Sequence, residues 1–296
     1  MSIEGSITAL VTPMNEKGEL DYDSLEKLIN FQIDSGISGL VAVGTTGESA
    51  TIDFADHIKL IEFFIKISNG RVNIIAGTGA NSTEEALHLT KEAKNLGADA
   101  ALLVSPYYNK PPQEGIYRHH AKIADEVDIP QILYNVPSRT ASFIEPETVQ
   151  RLSSHQNIIG IKDATGDMKN LTEVLKLCEE DIKSKNFFLY SGDDFSSLEF
   201  LKRGGHGTIS VSSNVVPKII SEICLFVQSD FSKAKKLDDK IKNLNQNLFC
   251  ESNPIPVKWA LYQMGLIKKG IRLPLVQLHD SFKESLKYSL EELNLI

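Results

Sequence analysis

The sequence predicts an α/β fold, a (β/α)8 TIM barrel followed by a C-terminal helical extension. Eight short apolar runs recur along the 296 residues. Most are continuous rather than alternating, which is typical of parallel strands covered on both faces. Segments with helical spacing separate them without a change of composition, which favours a closed barrel over the alternative, an open doubly wound sheet. The predicted strands lie within 5–13, 38–44, 72–79, 100–106, 131–137, 157–163, 187–194 and 206–213.

The helices between these strands have recognisable signals. An apolar stripe over residues 25–32 indicates the first helix. Ser82 to Glu85 form a capping box, and Gly97 is placed to end the helix that follows. Pro146 suits the first position of a later helix. Only helical patterns follow residue 217, so we predict a catalytic barrel at 1–225 and a C-terminal helical region at 226–296.

Composition excludes several classes of protein. Hydrophobic residues make up 42% and charged residues 24%, as in ordinary globular proteins. A net charge of −8 without long basic blocks argues against a nucleic-acid partner. No signal peptide or membrane span is apparent, so we expect a cytoplasmic protein. Three widely separated cysteines and the absence of an HExxH or Cys/His motif predict neither a disulfide framework nor a metal site.

The segment IIGIKD, residues 158–163, ends an apolar run with Lys162. A buried ammonium group is costly unless it is paired or loses its proton. A neutral amine at a strand end could attack a ketone and form a Schiff base. We expect Gly160, on the same face, to leave space beneath it. An ion pair between Lys162 and Asp163 is the alternative.

Other polar groups follow the ends of neighbouring strands, where barrels carry their chemistry. In GTTGE, Thr45 and Thr46 could bind a carboxylate with hydroxyl and backbone N–H groups, although such turns are also plain connections. Tyr134 could carry protons together with Thr45, or could be a core phenol. Arg139 could grip a carboxylate or be a solvated charge. The adjacent tyrosines of SPYYNKPPQEG suggest an interface.

Seven motifs together resemble the dihydrodipicolinate synthase family: GSITALVTPM, GTTGES, AGTGAN, SPYYNKP, ILYNVPSRT, IIGIKDATG and NPIPVKWAL. They occur in the family's order from about residue 5 to about residue 275, which is nearly the whole chain. Several are long and irregular, so their joint occurrence is specific. The wider superfamily, which includes N-acetylneuraminate lyase, shares the lysine and the glycine-rich turn.

The resemblance implies an aldol condensation of pyruvate with L-aspartate 4-semialdehyde, followed by cyclisation, on the route to diaminopimelate and lysine. It implies that Lys162 forms the Schiff base and that no metal or organic cofactor takes part. Thr45, Tyr134 and Tyr108 would relay protons, with Tyr108 supplied across a dimer interface. The implied substrate-binding residues are Thr45, Thr46, Arg139, Gly192 and Ile209.

The resemblance further implies a homotetramer built as a dimer of dimers. Some family members bind lysine between subunits as an inhibitor. The matching positions in this sequence are Ser49, Ala50, His57, Asn81, Glu85 and Tyr107. Phe54 stands where lysine-sensitive relatives often carry histidine, which puts this regulation in question.

Two other functions fit the sequence. Another pyruvate-dependent aldolase or lyase, such as N-acetylneuraminate lyase, would use the same Lys162 with a different second substrate; Arg139 argues against it. A catalytically silent barrel that binds a small acid would not need Lys162. A substrate panel and replacement of Lys162 distinguish these possibilities.

Overall fold

Eight parallel strands close into a barrel in the order of the chain, so the predicted fold class is confirmed. The computed structural model describes residues 3–296. Each strand pairs with the next, and the first pairs with the last, for example Ile7 with Ile209. Every strand lies inside one of the eight apolar runs. The strands are β1 Gly5–Ala9, β2 Gly39–Ala42, β3 Asn73–Gly77, β4 Ala100–Val104, β5 Gln131–Asn135, β6 Ile158–Asp163, β7 Phe188–Ser191 and β8 Gly207–Ser210.

Helices connect the strands on the outside of the barrel and continue beyond β8. Those between strands are α1 Tyr22–Asp34, α2 Phe54–Ser68, α3 Thr83–Leu96, α4 Gln113–Glu126, α5 Pro137–Thr140, α6 Pro146–Ser153, α7 Met168–Leu177, α8 Glu179–Lys183 and α9 Ser197–Lys202. Those after β8 are α10 Pro217–Phe226, α11 Phe231–Asn247, α12 Ile255–Gln263 and α13 Asp280–Glu292.

The predicted helix signals act as expected. The Ser82 side chain accepts a hydrogen bond from the Glu85 N–H at 3.4 Å, and Gly97 ends α3 with a φ of 91°. Pro146 lies in the first turn of α6. Helix α1 buries Leu25, and the rest of its inner face is also buried. Local sequence therefore determines where these helices begin and end.

The barrel interior is filled by alternate side chains of the strands. They form one buried cluster whose members include Ile7, Val41, Ile75, Leu102, Ile132, Tyr134, Phe188, Tyr190 and Ile209. Because side chains alternate along a strand, the opposite face of each strand packs against the helices. Both faces are buried, which explains the continuous apolar runs.

The C-terminal helices share a hydrophobic core with the barrel helices rather than standing apart. Residues Ile255–Leu261 of α12 are all buried, and Trp259 and Leu261 belong to the same cluster as Leu28 and Leu60. The boundary predicted between residues 225 and 226 falls in the last turn of α10, and it remains a prediction. No helix within residues 3–296 has the length and apolar character needed to cross a bilayer.

Candidate active site

Lys162 lies inside the barrel beside two tyrosines. In the strand register it pairs with Tyr134 of β5 on one side and with Tyr190 of β7 on the other. Its Nζ atom is 4.2 Å from the centre of the Tyr134 ring. Both side chains are buried, with Lys162 5% and Tyr134 6% exposed. An amine in this place is shielded from water and close to a phenol that can move protons.

Asp163 is not the partner of Lys162. Its carboxylate accepts hydrogen bonds from the Thr165 N–H at 3.1 Å, the Thr165 hydroxyl at 3.0 Å and the Asn170 amide at 2.7 Å. Successive strand residues point to opposite faces, so Asp163 faces the helices while Lys162 faces the interior. Burial raises the pKa of Asp163, and the bonds from Asn170 and Thr165 oppose this. The structure thus removes the proposed ion pair as an explanation for Lys162.

Two glycines, one in β6 and one directly after β7, determine the space around Lys162. A Cβ atom on Gly192 would lie 2.8 Å from the Lys162 Cε atom, so only glycine leaves room for the lysine side chain there. The prediction that Gly160 leaves open space beneath Lys162 is wrong. A Cβ atom on Gly160 would lie 2.4 Å from the Phe188 carbonyl oxygen and 3.1 Å from the Tyr190 ring. Gly160 instead permits the close approach of β7, whose Tyr190 fills that part of the interior.

The GTTGE turn, Gly44–Glu48, follows β2 and is tied down on several sides. Its Gly47 and Glu48 N–H groups donate to the Gly44 and Thr45 carbonyls at 3.0 and 3.1 Å. The Thr12 hydroxyl donates to the Gly47 carbonyl at 2.7 Å. These bonds give the turn one defined shape, with Thr45 half-buried and Thr46 buried.

Asn253, in the C-terminal region, connects Thr46 and Arg139, which are both predicted to bind carboxylates. The Asn253 amide donates to the Thr46 hydroxyl at 3.0 Å, and the Asn253 carbonyl accepts from the Arg139 guanidinium at 3.3 Å. Arg139 belongs to the short helix α5, and its side chain is largely exposed. Thr46 and Arg139 are therefore held in relation to each other through one side chain and one peptide group.

A buried ion pair, absent from the sequence prediction, lies behind the turn. Glu48 is 3% and Lys258 4% exposed, and the Lys258 ammonium donates to the Glu48 carboxylate. Burial lowers the pKa of Lys258, and the Glu48 charge opposes this shift. A signal was available, since IPVKWAL places a lysine in an apolar helix just as IIGIKD places Lys162 in an apolar strand.

An open cavity of about 380 Å³ adjoins this region. Thr45, Val104, Val136, Arg139 and Asn253 line it. Lys162, Tyr134, Thr46, Gly192 and Ile209 do not line it. Val136 is two residues beyond Tyr134 on the same face, so the cavity lies above the level of the Lys162 amine. Thr45 and Arg139, both predicted to bind substrate, face this space.

Most of the positions matched to lysine binding line the same cavity, and Phe54 lines it as well. These positions are Ser49, Ala50, His57, Glu85 and Tyr107. Asn81 does not line it, and its carbonyl accepts from the Asn109 amide at 2.9 Å. Phe54 stacks on His88 with ring centres 4.7 Å apart. Lysine binding remains a prediction.

Tyr108 is the one predicted catalytic residue that lies outside the site of the single chain. Its side chain is 89% exposed, and its φ of 74° is in the left-handed region, which is uncommon for a residue with a side chain. Its neighbour Tyr107 lines the cavity and is 37% exposed. The loop thus presents Tyr108 outward.

Metal ligands are not clustered in the described part of the chain. Within residues 3–296, no group of three or more His, Cys, Asp or Glu side chains is arranged to hold a metal ion. His119 and His120 pack against each other inside the protein, with ring centres 4.9 Å apart.

The fold and site together define a class of protein: a closed (β/α)8 barrel with a buried amine at the end of its sixth strand, a geometry suited to Schiff-base chemistry. The model of the dihydrodipicolinate synthetase family matches residues 2–293. The chain belongs to this family.

Several relatives are similar in sequence to this chain over almost their whole length. A 4-hydroxy-tetrahydrodipicolinate synthase of Stutzerimonas stutzeri (strain A1501) is 53% identical over 291 residues, which cover 98% of each chain. The pyruvate complex of the chloride-inhibited dihydrodipicolinate synthase from Acinetobacter baumannii matches with a TM-score of 0.96 and 50% identity over all of both chains. A monomeric dihydrodipicolinate synthase variant matches with a TM-score of 0.96 and 40% identity, covering 99% of this chain and 98% of its own.

Proposed function

We propose that the chain is a 4-hydroxy-tetrahydrodipicolinate synthase, a lyase that condenses pyruvate with L-aspartate 4-semialdehyde through a Schiff base and supplies the diaminopimelate and lysine pathway. The observation that carries the proposal is the buried Lys162 amine beside the Tyr134 ring. The neighbouring carboxylate, that of Asp163, is hydrogen-bonded to Asn170 and does not pair with this amine. The similarity to synthases over nearly the full chain supports the choice of substrates. A cytoplasmic location is part of the same proposal.

The first half of the reaction activates pyruvate. The Lys162 amine attacks the ketone carbon, and loss of water gives a protonated imine. Removal of a methyl proton then gives the enamine, with the imine nitrogen as the electron sink. Thr45 and Tyr134 pass this proton along, and Tyr108 of a second copy connects the relay to solvent. The Thr45 and Thr46 hydroxyl and N–H groups hold the pyruvate carboxylate.

The second half forms the carbon–carbon bond. The enamine carbon attacks the aldehyde carbon, and the aldehyde oxygen takes a proton from the relay. The amine of the second substrate then attacks the imine carbon, closes the ring and displaces the Lys162 amine, which is regenerated. Arg139 binds the carboxylate of the semialdehyde with its planar guanidinium. Gly192 leaves room for the Lys162 side chain, and the Ile209 backbone carbonyl lines the lysine pocket together with it.

Borohydride trapping tests the proposal directly. Reduction in the presence of pyruvate is expected to add one pyruvate-derived group to Lys162, detected by intact mass and peptide mapping. Peptide mapping matters because Lys258 is also a buried lysine. Lys162→Ala is expected to give no adduct.

A folded wild-type protein without an adduct would rule out the Schiff-base mechanism and favour the silent acid-binding barrel. If the adduct forms, a panel of aldehyde acceptors distinguishes the synthase from a sugar-acid lyase. We expect turnover of pyruvate with L-aspartate 4-semialdehyde and with no other aldehyde of the panel.

We also propose that the chain works as a homotetramer, a dimer of dimers. The support is the exposed Tyr108, which the relay requires from a neighbouring copy. A monomeric variant among the structural relatives means that the assembly has to be measured for this chain.

A further inference from the structure

The GTTGE turn and the residue before it contain unfavourable backbone geometry. Val43 has a φ of 53° and Glu48 a φ of 61°, both in the left-handed region. A β-branched residue is a true outlier there, and such conformations persist only where the surroundings hold them in place. The turn that carries Thr45 and Thr46 therefore needs an external support.

That support comes from the C-terminal segment. The Lys258 ammonium donates to the Glu48 carboxylate and, at 3.0 Å, to the Thr12 carbonyl. The Arg272 backbone N–H donates to the other Glu48 carboxylate oxygen at 3.1 Å. Thr12 in turn holds the Gly47 carbonyl through its hydroxyl. The end of the turn is thus fixed to helix α12 and Arg272 through Glu48, and to the segment after β1 through Gly47.

Stability alone does not explain a pair of buried charges at this place. Replacing a buried ion pair by uncharged groups of similar volume is often neutral or stabilising, because desolvation offsets the attraction. Glu48 also lines the cavity through which the substrates would enter. An uncompensated carboxylate there would repel anionic substrates, and Lys258 neutralises it.

We propose that Lys258 and Glu48 are positioning residues of the pyruvate site. They hold the turn so that Thr45 and Thr46 meet the substrate carboxylate, and Lys258 cancels the charge that Glu48 would otherwise present. This inference rests on the proposed function, since it presupposes that the turn binds pyruvate.

The test compares Lys258→Met, Glu48→Gln and the double variant with the wild type. The measured quantity is the pyruvate concentration that gives half-maximal borohydride trapping at Lys162, together with KM and kcat. In metal sites, residues that orient the ligands typically contribute 10- to 100-fold. By analogy, we expect Lys258→Met to raise the half-saturating pyruvate concentration about tenfold or more. We expect kcat to change by about twofold at most.

The order of the variants separates positioning from plain stability. Lys258→Met leaves a carboxylate near the substrate, so its effect should exceed that of Glu48→Gln. The double variant regains thermal stability because no charge is stranded, yet it should still need at least about fivefold more pyruvate. A double variant with wild-type half-saturation would overturn the proposal.

Two further variants guard the conclusion. Glu48→Asp keeps both charges and shortens the arm, so it decides the matter if Lys258→Met and the double variant do not fold; unchanged half-saturation in Glu48→Asp would then sink the idea. Gln131→Leu removes buried bonds from Gln131 to the Ile123 and Val127 carbonyls at the opposite end of the barrel. It should lower stability without changing half-saturation.

Absence of trapping in the wild type would instead refute the proposed function.

Discussion

Lys162 and Lys258 are both lysines in apolar segments, and their surroundings give them different roles. Lys162 has the Tyr134 ring beside its amine, whereas Lys258 has the Glu48 carboxylate. The sequence predicted Lys162 because a strand end in a barrel is a known place for chemistry. It did not reveal the pair at Lys258, because Glu48 lies 210 positions away in the chain. No local pattern reports a contact over such a distance.

His119 leads to a prediction about pH at the scale of one residue. Burial lowers the pKa of His119 from 6.5 to about 4. His119 becomes protonated near pH 6.5 in the unfolded chain but only near pH 4 in the folded chain. The unfolding free energy is therefore unaffected by His119 above pH 6.5, and it decreases as the pH falls from 6.5 to 4. Between pH 6.5 and 4, His119→Gln should therefore show a shallower loss of unfolding free energy than wild type, by at most about 1.4 kcal/mol per pH unit.

Urea unfolding at a series of pH values measures this difference. His88→Gln is the matched control, because His88 is exposed, and its profile should run parallel to that of the wild type. Parallel profiles for wild type and His119→Gln would show that burial of His119 does not couple folding to protons.

At the scale of elements, signals within one segment were the predictable ones. The eight strands and the limits of α3 follow from apolar runs, a capping serine and a terminal glycine. The error at Gly160 has a different origin. The group that leaves no room for a Cβ atom on Gly160 belongs to the neighbouring strand β7. The hydrophobic periodicity of one element does not reveal how closely a neighbouring element packs against it.

Gly97 provides a test of helix termination. Its φ is 91°, and an added Cβ atom would meet nothing within 4 Å, so Gly97→Ala introduces backbone strain without a clash. We expect a loss of about 1 kcal/mol of unfolding free energy, since an L-residue pays roughly this cost in the left-handed region. Denaturant titration measures it. Asn95→Ala, at an exposed position of the same helix, should cost nothing; an equal loss in both variants would contradict the explanation.

At the scale of the whole molecule, the barrel was predictable from eight strand and helix units in series. The completeness of its site is a different matter, because Tyr108 is exposed in a single chain. The sequence suggested an interface from the paired tyrosines, and a single chain contains no contact that would test it. Assembly is therefore the level at which the proposed relay has to be examined.

Mixing inactive variants tests the relay across subunits. Lys162→Ala and Tyr108→Ala are each expected to be nearly inactive. In a mixed dimer, the barrel that keeps Lys162 receives Tyr108 from the other copy. Random reassembly of equal amounts should therefore restore about a quarter of wild-type activity, because half of the dimers are mixed and each has one intact site.

Tyr134 provides the matched control for this experiment, since it belongs to the same barrel as Lys162. A mixture of Lys162→Ala with Tyr134→Phe should restore nothing. No recovery in the Tyr108 mixture, with mixed dimers verified by mass spectrometry, would show that Tyr108 does not serve a neighbouring barrel.

The support of the GTTGE turn by Asn253 and Lys258 has a consequence for how the protein is made. Lys162, Tyr134 and Thr45 have all been synthesised before either supporting residue leaves the ribosome. A nascent or truncated chain that ends before residue 253 therefore contains every proposed catalytic side chain but lacks these supports for the pyruvate-binding turn. On the proposed mechanism, Schiff-base formation at Lys162 is therefore expected only after the last part of the polypeptide has been translated.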